Sequence, residues 1–253
     1  MYTFALDFDG VLCDSAHETA LTGWKACHKQ WPEIFNTEED NKIIDHFRKV
    51  RPALKTGYES MILIYLLKEG KSIDTILEQY SALNEVFYAK TGVTSESLKN
   101  IFGKIRDSWI ESDFESWLKA NKFYPGVIEA VKKCPYPVYI ITTKQKRFAE
   151  ALCGFAGLNL PESHIFGLES GEKSGSLKKV YDDNPDNRLL FVEDRLKNLL
   201  DAKAEGIELH KFYADWGYGT AEDYQAAKKN EQITVISLSD FPQFILSPDQ
   251  FLS

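Results

Sequence analysis

The chain has 253 residues, 43% hydrophobic and 27% charged, a globular balance with room for one large domain or two modest ones. Its net charge of −8 argues against a nucleic-acid-binding surface, and no apolar run approaches the roughly 18 residues of a membrane span. Cys13, Cys27, Cys134 and Cys153 are scattered with no Cys-x-x-Cys pair, so they read as reduced thiols of a cytoplasmic protein, not disulfides or a zinc site.

The first element is Phe4-Ala5-Leu6-Asp7-Phe8-Asp9-Gly10-Val11-Leu12, an apolar run that ends in two carboxylates and a glycine. It begins so close to Met1 that no charged-then-apolar leader is expected. Such a run suits a buried parallel strand. Asp7 and Asp9, two residues apart, lean to the same side of an extended backbone, and Gly10 lets the chain turn without a Cβ penalty. At about 4 Å and an effective dielectric near 20, two such charges repel by roughly 4 kcal/mol. Either one is protonated or a hard cation with oxygen ligands, most simply Mg²⁺, sits between them. Asp-x-Asp-Gly is also turn and calcium-loop chemistry, so the motif alone leaves a purely structural reading open.

From Ser15 the pattern becomes helical and stays so to Ala120. Ser15-Ala16-His17-Glu18 has the form of a capping box, predicting a helix to about Trp31. A second helix is expected over 37–50, stopped by Arg51-Pro52, and Thr56-Gly57-Tyr58-Glu59 opens a third. Helices over 72–90 and 95–112 and a short one over 113–120 complete the segment. The tryptophans Trp24, Trp31, Trp109 and Trp117 stand at helical positions that suit a core.

After Tyr124-Pro125-Gly126 strands and helices alternate: helix 127–133, strand 138–141, helix 146–155, strand 164–168, helix 177–181, strand 189–192, helix 196–205, strand 208–212, helix 220–229 and strand 233–236. This alternation predicts βαβ units and a parallel sheet. The first strand must join that sheet, because alone its backbone groups would be unpaired. A discontinuous core of 1–13 and 121–253 is therefore expected, interrupted by a helical unit over 14–120.

Three strand ends carry polar residues: Asp7 and Asp9, Thr142 and Thr143, Glu193 and Asp194. Strand tips of one parallel sheet converge at one edge. Four carboxylates there call for a metal, and a threonine hydroxyl is a suitable donor to a phosphate oxygen. Asp7-Phe8-Asp9-Gly10-Val11, Thr142 after an apolar strand, a lysine ahead of the 189–192 strand, and Glu193-Asp194 together resemble, in order and spacing, the four motifs of the haloacid dehalogenase superfamily. The helical segment lies where that superfamily's subclass I cap is inserted.

The resemblance implies a Rossmann-like three-layer α/β core with a parallel sheet, plus an inserted all-helical cap domain. It implies that Asp7 is the nucleophile forming an aspartyl-phosphate, and that Asp9 is general acid and then base. Mg²⁺ would be held by Asp7, the Asp9 backbone carbonyl, Asp194 and Glu193. Gly10, Thr142, Thr143 and Lys173 would hold the phosphoryl group. Asp9 favours phosphoryl transfer over the dehalogenase branch, so the expected enzyme is a phosphatase of the phosphoglycolate phosphatase and β-phosphoglucomutase type. Its partner would be a small phosphorylated metabolite, with no nucleic acid and no membrane.

The last motif departs from the commonest pattern, with Glu193 before Asp194 and Asn198 where an acid is usual. Glu-Asp occurs in mutase-like members, so an intramolecular sugar phosphomutase is an alternative, as is a non-catalytic interaction protein on this fold. Lys173-Ser174-Gly175-Ser176 lacks the usual proline, and Lys144, Lys178 and Lys179 are rivals for the motif lysine. Arg51 and His17 are the candidates for substrate specificity, with Arg48 and Lys55 beside the former. Asp215-Trp216-Gly217-Tyr218-Gly219 resembles a loop of phosphoglycolate-phosphatase-like members, but a glycine-bounded loop whose aromatics cover the sheet edge accounts for it equally.

Overall fold

A computed structural model describes residues 1–37, 39–202 and 206–252. The strands are β1 (Tyr2–Leu6), β2 (Cys13–Asp14), β3 (Lys122–Phe123), β4 (Val138–Ile141), β5 (Ile165–Phe166), β6 (Arg188–Glu193), β7 (Leu209–Ala214) and β8 (Ile233–Ile236). The helices are α1 (Ala16–Gln30), α2 (Asn41–Val50), α3 (Ser60–Lys68), α4 (Ile73–Thr91), α5 (Ser95–Ser112), α6 (Phe114–Ala120), α7 (Val127–Lys132), α8 (Lys146–Phe155), α9 (Lys173–Asp183), α10 (Leu196–Asp201), α11 (Ala221–Lys229) and α12 (Phe241–Leu246). The chain divides into two compact units, Met1–Asp14 with Lys122–Ser253, and Ser15–Asn121.

The first unit is built on a parallel sheet of order β5-β4-β1-β6-β7-β8. Every residue of β1 and β4 is buried, which explains their unbroken apolar runs. Phe4, Phe244 and Tyr136 pack on one face. Ala5, Tyr139, Phe191, Leu177 and Leu199 pack on the other. Strand register aligns the three central tips. Leu6 stands opposite both Ile140 and Val192, so the residues after β1, β4 and β6 emerge at one edge.

Several boundaries moved for identifiable reasons. α9 begins at Lys173, not at the expected residue 177. Gly175 costs a helix interior about 1 kcal/mol, and the tertiary contacts of Lys173 override it. The strand expected over 164–168 shrinks to β5, between 3₁₀ turns at Glu162–His164 and Leu168–Ser170. Residues 203–205 of the expected helix 196–205 lie outside the described residues, as does Glu38 of the helix expected over 37–50. The antiparallel ribbon β2–β3, with Cys13 opposite Phe123 and Asp14 opposite Lys122, was not expected. Two residues per strand are too few to show a period.

The second unit is helical. Trp24, Trp31, Phe35, Tyr65 and Phe87 form its aromatic centre, with ring centroids 5.1–5.8 Å apart in the closest edge-on pairs. The capping box expected at Ser15 is absent: the Ser15 side chain makes no cap hydrogen bond. Glu18 is instead fully buried. Arg106 Nε and Nη2 donate to its two oxygens at 2.8 Å each, joined by Trp117 Nε1 at 3.1 Å and the Thr22 hydroxyl at 2.9 Å. The same motif shape at 56–59 does cap, since Glu59 accepts from the backbone N–H groups of Lys55 and Thr56. Among the described residues no helix is long and apolar enough to cross a membrane.

Removing one partner of a buried ion pair strands the other. Arg106→Met should therefore destabilise the helical unit by about 3 kcal/mol. Urea unfolding followed by tryptophan fluorescence measures this, and an unchanged midpoint would assign Glu18 no structural weight.

Candidate active site

Asp7 follows β1 directly, and its backbone N–H donates to Val192 O at 2.9 Å. That bond extends the β1–β6 ladder by one residue and brings Asp7 beside Glu193, the last residue of β6. Lys173, from the first turn of α9, reaches both: Nζ lies 2.9 Å from Asp7 Oδ1 and 2.6 Å from Glu193 Oε2. Glu193 is fully buried and densely hydrogen-bonded. Its Oε1 accepts from the N–H groups of Asp194 and Arg195, and its Oε2 also accepts from Asn198 Nδ2 at 3.1 Å. One oxygen from each of Asp7, Glu193 and Asp194 lies within 4.8 Å of the others.

The electrostatics follow from three buried carboxylates facing one ammonium. Burial, then the Glu193 charge, pushes Asp7 up to about 7. The same two causes, with Asp7 added, push Asp194 well above the usual carboxylate range. Burial would raise Glu193 as well, but Lys173 and its N–H donors hold it below its ordinary value. Burial would lower Lys173, and Asp7 and Glu193 reverse that and raise it. The cluster therefore gathers more carboxylates than Lys173 alone can keep ionised. Its donor atoms are all hard oxygens, so it fits a small divalent cation.

The loop after β7 completes the site, and sequence reading undervalued it. Tyr218 N–H donates to Asp194 Oδ2 at 2.6 Å. Trp216 Nε1 donates to Val11 O at 3.1 Å, with its ring edge-on to Phe241. A Cβ on Gly217 would overlap the Asp194 side chain and the Gly10 carbonyl. Gly10 has φ +93°, and a Cβ there would overlap the Asp194 carboxylate. Backbone from two loops thus closes on Asp194, where only glycine fits. Tryptophan and glycine were visible as letters, but a backbone N–H leaves no mark in a sequence.

The remaining candidates fall as follows. Thr142 is buried just past β4, and its hydroxyl accepts from Lys144 N–H at 3.1 Å, while Thr143 is exposed. Asp9 Oδ1 is 3.3 Å from Lys144 Nζ. Of the four candidate motif lysines, Lys173 meets Asp7, Lys144 meets Asp9, Lys178 pairs with Asp182 on its own helix, and Lys179 is exposed. Arg51 is buried at a 3₁₀ turn of the helical unit, and His17 is exposed on the first turn of α1 in that unit.

No family model and no curated protein matches the chain. Solved structures do. A haloacid dehalogenase-like hydrolase from Streptococcus pneumoniae superposes with a TM-score of 0.59 at 17% identity, covering 99% of this chain and 99% of that one. A structure from Haemophilus somnus described as a predicted phosphoglycolate phosphatase gives 0.61 at 14% identity, covering 96% and 97%. A hydrolase from Pseudomonas syringae gives 0.58 at 13% identity over the whole of both chains. The chain has the fold of haloacid dehalogenase-like hydrolases along its full length.

Burial of Asp7 and Asp194 has a consequence for stability. Between the ordinary carboxylate pKa and about 7, the folded protein keeps a proton on Asp7 that the unfolded chain has released. Stability of the metal-free protein should therefore fall as pH rises through that window, with Asp194 acting in the same direction. Glu193, held low, contributes stability that is full above its ordinary value and is lost only on further acidification, so it does not offset the trend. Urea midpoints in EDTA should be lower at about pH 8 than at about pH 5, and Asp7→Asn should reduce the difference, leaving the share of Asp194. A midpoint that rises over this range contradicts the assignment.

Proposed function

We propose that this protein is a cytoplasmic Mg²⁺-dependent phosphatase that hydrolyses a small phosphorylated metabolite through an aspartyl-phosphate. The observation that carries this reading is the buried cluster of Asp7, Glu193 and Asp194, crossed by Lys173, at the carboxyl edge of a parallel sheet. The shared fold supports the class of reaction. The four cysteines form no disulfide, which supports a reducing compartment.

A carboxylate oxygen of Asp7 attacks phosphorus, and the bond from phosphorus to the ester oxygen breaks. Asp9 gives its proton to the departing alkoxide, then takes one from the water that cleaves the Asp7–phosphorus bond and restores the free carboxylate. Thr142, Thr143, Lys173 and the backbone at Gly10 bind the phosphoryl oxygens. Asp7, Asp194 and Glu193, with the Asp9 carbonyl, would hold Mg²⁺, which when bound supplies charge neutralisation at the phosphoryl group. Glu193 already accepts from four N–H donors, so it contributes mainly fixed charge and the anchoring of Lys173. Arg51 and His17 are the proposed specificity residues.

Purified protein with Mg²⁺ should turn over p-nitrophenyl phosphate or members of a metabolite-phosphate panel, and EDTA should abolish turnover. Asp7→Asn should lower the rate by at least about a thousandfold. Unchanged activity in Asp7→Asn removes the nucleophile assignment. Isomer exchange faster than phosphate release would favour the mutase, the alternative suggested by the Glu193-Asp194 pair.

A further inference from the structure

Tyr218 makes two buried contacts, one through its backbone and one through its phenol. Its backbone N–H donates to Asp194 Oδ2, and its phenol donates to Asp14 Oδ1 at 2.9 Å. Asp14 belongs to the β2–β3 ribbon, paired with Lys122. That ribbon carries the chain out of this unit after Asp14 and back into it at Lys122. Neither contact has slack. Tyr218 is 6% exposed and Asp14 6%, while Gly217, the preceding residue, has no room for even a Cβ against Asp194 and Gly10. Trp216 pins the same loop to Val11. The ribbon is itself seated on the first turn, since Tyr124 N–H donates to Leu12 O at 3.0 Å and Phe123 lies edge-on to Phe8.

We infer that Tyr218 is a positioning residue that couples Asp194 to the ribbon, so that a divalent cation held at the carboxylate cluster orders the two strands leading to and from the helical unit. The inference rests on the proposed reading only for the cation. Asp194 accepts from Tyr218 through Oδ2, and one oxygen of the same carboxylate belongs to the candidate cation cluster. A change in its position moves the Tyr218 backbone, and the phenol of that residue carries the change to Asp14. The phenol O–H donates and the Asp14 oxygen accepts, so Tyr218→Phe removes one buried contact of Asp14. Coupling of this kind is reciprocal: a loosened ribbon also weakens the cation.

The test is amide hydrogen exchange of the full chain, read on peptides covering 10–14 and 121–125, with and without saturating Mg²⁺, beside calorimetric Mg²⁺ binding. In the wild type the cation should slow exchange at these peptides by up to about tenfold, the order of magnitude one hydrogen bond is worth. In Tyr218→Phe the response should vanish at full occupancy, with Mg²⁺ binding weakened by up to about tenfold. Asp14→Asn keeps an acceptor oxygen and should retain the response. If Tyr218→Phe does not fold, Asp14→Ala breaks the same contact from the other end and carries the test. Equal protection in Tyr218→Phe and wild type overturns the inference, as does a wild type that binds Mg²⁺ with an unresponsive ribbon. A wild type that binds no Mg²⁺ sinks the metal reading itself, and the coupling with it.

Discussion

The Lys173 ammonium between Asp7 and Glu193 is the contact on which the sheet-bearing unit depends. Without it, the buried carboxylates of Asp7 and Glu193 would lose the ammonium that bridges them, at a cost of about 3–5 kcal/mol. The contact joins three segments far apart in the chain: the end of β1, the first turn of α9 and the end of β6. It also explains a local anomaly. Lys173-Ser174-Gly175-Ser176 has poor helix propensity, yet it forms the start of α9 because its lysine is anchored there.

Register does the rest of the placement. A shift of one residue between β1 and β6 would turn Glu193 to the other face of the sheet and separate it from Asp7. The pairing of Leu6 with Val192, followed by the Asp7 N–H to Val192 O bond, holds the two acids on one edge. The apolar runs that set this register are packed on both faces, so the same side chains that build the core aim the site.

This division marks what was legible. Strands 138–141 and 233–236 were readable to the residue because each is a short apolar run bounded by turn chemistry. That Asp7, Glu193 and Asp194 meet at one edge was readable because each closes an apolar run of a parallel sheet, whose strand tips converge. What long-range geometry decides was not readable. Ser15-x-x-Glu18 and Thr56-x-x-Glu59 present the same signature, but only the second caps a helix, because Arg106, distant by 88 positions, claims Glu18. The role of the Trp216–Gly219 loop was hidden for a different reason. Its contact with Asp194 is made by a backbone N–H, which no letter records, and by the absence of a side chain at Gly217, whose letter also suits an ordinary turn.

The cluster assigns unlike tasks to like residues. Glu193 is saturated with donors and held low, so it is a constant negative charge that keeps Lys173 in place. Asp7 has the same lysine but fewer donors, and burial beside Glu193 pushes it up to about 7. On the proposed reading Asp7 must be ionised to attack phosphorus, so an enzyme without a cation would spend much of its time in the wrong protonation state near neutral pH. A divalent ion at the cluster would favour the ionised form by direct attraction. On that reading the excess of acid would act as a gate: the site would be poorly nucleophilic until the charge that also steadies the phosphoryl group is bound. Sites of this kind trade folding stability for reactivity, and here the trade is visible as buried carboxylates that a hydrophobic core of the same shape would not contain.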